Sequence, residues 1–321
     1  MGDDSDFYSK EYYEKDGRDP FLEIDWLIQY HCNYRCPYCF FDGNWDEVLA
    51  RDKPIAADKW ISAICSLRPD PSKILVTLTG GEPTLYPGFI DIVSGLARRV
   101  RKVSFDTNLS QGAVFWREFV ERVEPGSPVR INASFHPTFC KDPETFREKL
   151  RFLESAGYRV PIHFIAHPPQ IAEIDRYWEF FKGFHLQLFA FRGEFEGRRY
   201  PESYTDAEYE KVFATVRDTQ SVAAEKDWLD GFLNQVEVGG RACKAGFRYV
   251  RMDVHGTIFR CSETQNRPLG NIFDSSFRLS DGPMPCDVRV CPCEFRLIAQ
   301  GPGLFSKAVR SVRRVLSGGR V

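Results

Sequence analysis

The chain has 321 residues, enough for one large domain or one domain with an appendage, and ample to bury a core. With 43 Lys and Arg against 45 Asp and Glu its formal charge is -2, so composition implies no bulk attraction to nucleic acid. No apolar run is long enough to span a bilayer, and the acidic start Met1-Gly2-Asp3-Asp4 lacks the basic and apolar regions of a signal peptide, so the expectation is a cytoplasmic protein with no integral membrane segment. Ten cysteines in such a chain point to metal rather than to disulfides.

From about residue 22 to 223, predicted strands and helices alternate. Leu22–Cys32 reads as a strand, and Asp58–Leu67 as a helix through Trp60, Ile61, Ile64 and Leu67. Strand Lys73–Thr79 and helix Phe89–Val100 follow, then strand Lys102–Asn108 and helix Val114–Val123. Strand Val129–Phe135 leads to helix Pro143–Ala156, which stops at Gly157. Strand Tyr158–Ala166 is followed by helix Ile171–Phe184, and strand His185–Phe191 by helix Ala207–Ala223. Six βα units argue for an α/β fold with a parallel sheet. In such folds the loops after the strands carry the site. Past about residue 235 the composition changes. Phe247–Val254, His255-Gly256 and Thr257–Cys261 read as a β-hairpin inside a cysteine-rich region. The expected organisation is a lead at 1–21, a barrel-like domain at 22–235, a cysteine-rich domain at 236–300 and a basic tail at 301–321. The tail spaces Phe305, Val309, Val312 and Leu316 as a helical stripe among basic residues.

Cys32, Cys36 and Cys39 follow the first strand with the spacing C-x3-C-x2-C, and the aromatic Tyr38 precedes the last. Four cysteines usually hold a [4Fe–4S] cube, so a loop that supplies three leaves one iron open for chemistry. A structural zinc loop is the alternative, but zinc wants four ligands in paired units, and no matching pair follows at that spacing. At the end of the second strand lies Gly80-Gly81-Glu82-Pro83. Two glycines let backbone approach a ligand closely, and a carboxylate suits an ammonium.

Together these motifs resemble the radical S-adenosylmethionine (radical SAM) superfamily. The resemblance implies a (β/α)6 partial TIM barrel and a [4Fe–4S] cluster whose open iron is chelated by SAM. It implies reductive cleavage of SAM to a 5′-deoxyadenosyl radical, which takes a hydrogen atom from an unactivated C–H, and an external one-electron donor of flavodoxin or ferredoxin type. It places Gly80, Gly81 and Glu82 at the methionine end and Tyr38 near the adenine. Thr107, Asn108 and Ser134 are candidate contacts to ribose or carboxylate, with strand-end capping as the alternative. Cys243 and Cys261 bracket Gly256 in a C-x12-G-x4-C pattern that resembles the opening of SPASM and twitch extensions, and Leu269-Gly270-Asn271-Ile272 resembles another of their segments. With Cys286, Cys291 and Cys293 there are five C-terminal cysteines, so one auxiliary [4Fe–4S] cluster is expected, with one thiol spare. A zinc knuckle is the alternative.

His136, His167, Arg192, Glu194 and Glu196 all follow strands and are candidate substrate residues for a polar small molecule. Solvated loop side chains are the alternative. Cys140, past the fourth strand, is a candidate hydrogen donor, while Cys65 lies on an apolar helix face and reads as core. Small twitch enzymes suggest dehydrogenation or epimerisation of a carbinol carbon in an aminocyclitol-like substrate. Peptide maturation is the second reading, and a non-catalytic cluster or zinc module the third.

Overall fold

The computed structural model describes residues 21–39, 49, 53–67, 70–214, 235–274 and 276–291. Its first strand, β1 (Leu22–Gln29), shows how the sequence builds the architecture. Successive side chains of a strand point to opposite faces. Leu22, Ile24, Trp26 and Ile28 take one face and are buried in the core, while Glu23, Asp25 and Gln29 take the other. The apolar face is covered by helices. α1 (Ala57–Cys65) buries Trp60 and Ile64, and the Trp26 and Trp60 ring centroids lie 4.5 Å apart. Such aromatic pairs add on the order of 1 kcal/mol beyond the area they bury.

Four further β-α units repeat this plan: β2 (Ile74–Gly80) with α2 (Phe89–Ala97), β3 (Lys102–Thr107) with α3 (Ala113–Arg122), β4 (Val129–Ser134) with α4 (Pro143–Ser155), and β5 (Ile162–Ala166) with α5 (Pro168–Ile171) and α6 (Ile174–Phe180). The expected helix over 171–184 is therefore two short helices, the first opened by Pro168 and Pro169. Prolines are tolerated in a first helical turn, where their missing N–H is not needed. β6 (Leu186–Ala190) follows. A hairpin that the sequence did not suggest comes next, made of β7 (Gly193–Phe195) and β8 (Arg198–Tyr200). α7 (Asp206–Ala214) is the described part of the helix expected to run to Ala223.

β1 to β6 pair in sequence order, all parallel. This is the expected α/β fold with a largely parallel central sheet. On the other side of β1 the sheet continues. β10 (Tyr249–Met252) pairs parallel to β1, then β11 (Thr257–Phe259) and β12 (Pro268–Asn271) add antiparallel. The β10–β11 turn holds Gly256 at φ +78°, a backbone state that side chains other than glycine rarely adopt. Two short strands, β9 (Ala242–Cys243) and β13 (Met284–Pro285), pair beside this hairpin. Among the described residues no helix is long and apolar enough to cross a membrane. The basic tail, the 1–20 lead and Cys293 lie outside the described residues.

Candidate active site at the carboxyl ends of the strands

The loop carrying Cys32, Cys36 and Cys39 is fastened to the end of β2. Gly81 N–H donates to the Gln29 carbonyl at 2.9 Å, and Glu82 N–H to the His31 carbonyl at 2.8 Å. The two glycines make this approach possible. A Cβ on Gly81 would lie 2.1 Å from the His31 oxygen and 2.4 Å from that of Tyr30, and one on Gly80 would lie 2.2 Å from the Gln29 oxygen. Within the loop, Cys39 N–H donates to the Cys36 carbonyl at 3.0 Å and Tyr34 N–H to the Cys32 sulfur at 3.3 Å.

None of the three is in a disulfide, and all are half-buried. Burial, followed by the Coulombic effect of neighbouring thiols, pushes Cys36 up to about 12. Burial also lifts Cys32 to about 11, against the pull of the Tyr34 amide. A positive centre among these sulfurs would favour their thiolate forms. That donor set suits iron–sulfur ligation. Among the described residues, no three His, Cys, Asp or Glu side chains are grouped to hold a single metal ion. A cube would spread its ligands over separate irons.

Behind the loop, Glu82 is only 1 % exposed. Its Oε1 accepts from Thr84 N–H at 3.1 Å, Thr84 Oγ1 at 2.6 Å and Thr107 Oγ1 at 2.7 Å, and its Oε2 accepts from Asn108 N–H at 2.6 Å. Three donors thus crowd Oε1, while Oε2 takes one and keeps a lone pair open. Burial raises the Glu82 pKa and the four hydrogen bonds oppose that. The structure thus brings Glu82, Thr107 and Asn108 together, with the carboxylate locking the ends of β2 and β3. The Asn108 side chain then reaches the cluster loop, donating to Asn33 Oδ1 at 3.0 Å and lying 4.0 Å from the Cys32 sulfur. Ser134 ends β4, paired with His163 of β5.

Tyr38, His136 and His167 also converge. Tyr38 Oη meets His136 Nδ1 at 3.1 Å and accepts from Gln170 Nε2 at 3.2 Å, and the Tyr38 and His167 ring centroids are 5.0 Å apart. Burial drops His136 to about 4 and also lowers His167, so both imidazoles are neutral at pH 7. His167 Nε2 and Gln170 Oε1 are buried without a hydrogen-bond partner. Cys140 hangs from the same turn, its N–H donating to the His136 carbonyl at 2.8 Å. Burial raises its thiol pKa. Neighbouring Phe139 stacks on Tyr34 of the cluster loop.

Arg192, Glu194 and Glu196 do not join this group. All three are exposed, and Glu194 and Phe195 take opposite sides of the β7–β8 hairpin, with Phe195 packed against His167 at 4.7 Å.

The sequence reading passed over the inner face of the sheet. Asp25 accepts from Thr79 Oγ1 at 3.2 Å and Tyr249 Oη at 3.1 Å, and Asp106 accepts from Asn132 Nδ2 at 2.9 Å. Burial lifts Asp106 to about 6, against the Asn132 hydrogen bond and the Arg130 charge. Asp106 keeps some accessible surface on this face. The signal was in the strands: Glu23, Asp25, Thr77, Thr79, Ser104, Asp106, Arg130 and Asn132 recur at every second position.

In the C-terminal region, β9 and β13 set Cys243 opposite Met284, two residues before Cys286. The Cys243 thiol feels both Cys286 and Cys261 electrostatically, so three of the expected ligands share one neighbourhood. Cys291 is buried just past the Glu237–Val290 bridge.

Residues 26–138, which span the cluster loop, the glycine-rich strand end and His136, match the model of the Radical SAM superfamily. That stretch of the chain is therefore similar to the radical SAM domain. A curated "Probable GTP 3',8-cyclase" of Sulfolobus acidocaldarius is 30 % identical over 122 residues, 38 % of this chain and 35 % of that protein. The chain spans less than half the length of the curated relatives it matches. SuiB of Streptococcus suis shares the fold with a TM-score of 0.55 at 14 % identity, over 79 % of this chain and 64 % of that one. The anSMEcpe enzyme, solved with bound AdoMet, gives 0.56 at 17 % identity over 80 % and 76 %.

Proposed function

We propose that this protein reductively cleaves SAM and uses the resulting radical to take a hydrogen atom from a carbinol C–H of a polar, amine- or hydroxyl-bearing small molecule. The observation that carries the reading is the three-cysteine loop, whose backbone is hydrogen-bonded to the Gly80–Glu82 strand end, inside the residues that match the family. Cys32, Cys36 and Cys39 would hold a [4Fe–4S] cluster, which together with SAM supplies the 5′-deoxyadenosyl radical. The Gly80–Glu82 backbone serves the methionine end, and Glu82 fixes that backbone. Tyr38, with His136 and His167, walls the adenine side, and Ser134 and Asn108 border the ribose and carboxylate. Thr107 acts through Glu82.

The polar inner face supports the substrate class. Asp25 and Asp106 suit an ammonium, and Asn132 and Thr79 suit hydroxyls. Loss of a proton from the substrate radical, with its electron passing to an auxiliary cluster, would give a carbonyl, whereas return of a hydrogen atom from a thiol such as Cys140, whose thiyl radical one electron from the external donor and a proton would restore, would give an epimer. Cys243, Cys261 and Cys286, with Cys291 or Cys293, would hold one auxiliary [4Fe–4S] cluster. A flavodoxin- or ferredoxin-type donor would supply the electron. A peptide substrate is the second reading, favoured by the likeness to SuiB, which has been solved with its precursor peptide SuiA.

The test is anaerobic turnover under strong reductant with aminocyclitols in D₂O. Release of methionine and 5′-deoxyadenosine, with a new carbonyl or a deuterated inverted carbon, is expected. No SAM cleavage in the presence of intact cluster would refute the reading. Cleavage coupled only to a peptide would replace it with the second.

A further inference from the structure

One side chain reaches every described cysteine segment that converges in the C-terminal region. Arg260 directly precedes Cys261. Its Nε donates to the Ala245 carbonyl at 2.9 Å, two residues past Cys243. Its Nη2 donates to the Met284 carbonyl at 2.9 Å, two residues before Cys286, and its Nη1 to Asp287 Oδ2 at 2.9 Å, one residue after it. The residue is 7 % exposed. Gly246, at φ +83°, makes room for its stem, since a Cβ there would stand 3.1 Å from Arg260 Cγ.

The charge balance is also informative. Asp287 neutralises one of the two guanidiniums that share it, Arg260 at 2.9 Å and Arg267 at 3.3 Å. An anionic, thiolate-ligated centre beside Arg260 would be the counterpart of the remaining charge.

We propose that Arg260 is a positioning residue of the auxiliary centre, which fastens the Cys286 segment to the β10–β11 hairpin and raises the centre's reduction potential. The inference rests on the auxiliary-cluster reading above. A planar guanidinium can bond in three directions at once, which a lysine ammonium on a flexible stem does not reproduce. A fixed positive charge stabilises the more negative, reduced state of a cluster, and hydrogen bonds and net charge are known levers on such potentials.

The test compares wild type, Arg260→Lys and Arg260→Gln as full-length chains reconstituted anaerobically, by iron and zinc analysis and by EPR redox titration. Wild type should carry about eight irons, two cubes. Arg260→Gln should keep the SAM-perturbed signal of the first cluster. Its second cluster should lose occupancy, and what remains should titrate lower by about tenfold in the reduced-to-oxidised ratio, 59 mV for one electron. Arg260→Lys should restore the potential while occupancy stays below wild type. Wild-type iron at wild-type potential in Arg260→Gln would overturn the inference alone. Iron for one cluster only in wild type, or zinc in the second site, would overturn the auxiliary-cluster reading and the inference with it.

Discussion

Glu82 offers the sharpest separation between a ligand contact and an internal fastener. Its carboxylate is buried and accepts four hydrogen bonds from Thr84, Thr107 and Asn108. Hydrogen bonds to a charged group contribute about 1.5–3 kcal/mol each, but removal is not additive, and breaking a buried charged arrangement costs about 3–5 kcal/mol. Glu82→Ala should therefore destabilise the protein by about 4 kcal/mol. Glu82→Gln can keep its oxygen where Oε1 sits, with three donors. Its amide then turns N–H against Asn108 N–H, for a loss of about 2 kcal/mol. Urea denaturation followed by circular dichroism gives the stabilities, and calorimetric titration with S-adenosylhomocysteine gives ligand affinity without turnover. The expected result is a stability loss in both variants, graded Ala above Gln, with affinity falling as the strand ends loosen. Wild-type stability in Glu82→Ala together with collapsed affinity would refute the reasoning, because the carboxylate would then face the ligand.

Three further outcomes follow from the same geometry. Gly81→Ala places a methyl 2.1 Å from the His31 oxygen, so β2 must pull away from the cluster loop. Loss of about 2 kcal/mol and weaker binding of S-adenosylhomocysteine are expected, and an unchanged urea midpoint would contradict the close approach. Burial, then the charge of Asp25, raises Glu23 to about 8. The folded state therefore holds this proton more tightly than the unfolded chain, and stability falls as pH rises from about 4.5 to about 8, by on the order of a few kcal/mol in total. Glu23→Gln should flatten the urea midpoint between pH 6 and 8, and an unchanged slope would count against it. Cys36→Ser should abolish SAM cleavage and cut iron by about half, leaving the C-terminal centre loaded, with iron analysis as the check.

The alternation of strands and helices was legible because each strand carries one continuous apolar face and each helix an apolar stripe. The register Asp25↔Thr77↔Ser104↔Arg130 simply aligns positions already alternating in the sequence. The cysteine spacing and Gly80-Gly81 were legible for a similar reason: both are local, one a short loop and the other a backbone with no room for a Cβ. The β7–β8 hairpin was not, because Gly193–Phe195 and Arg198–Tyr200 are each three residues long, too short to show a period.

What tertiary structure alone decided is where side chains spend their hydrogen bonds. The sequence offered Glu82 as a carboxylate suited to an ammonium. Only the pairing of β2 with β3 brings Thr107 and Asn108 to its two oxygens. It offered five C-terminal cysteines as a count. Only the β9–β13 pairing and the reach of Arg260 gather three of them. Spacing along a chain fixes neighbours within a loop or a turn. Contacts between Glu82 and Asn108, or between Arg260 and Asp287, join residues more than twenty positions apart, and such contacts exist only once the sheet has set its register.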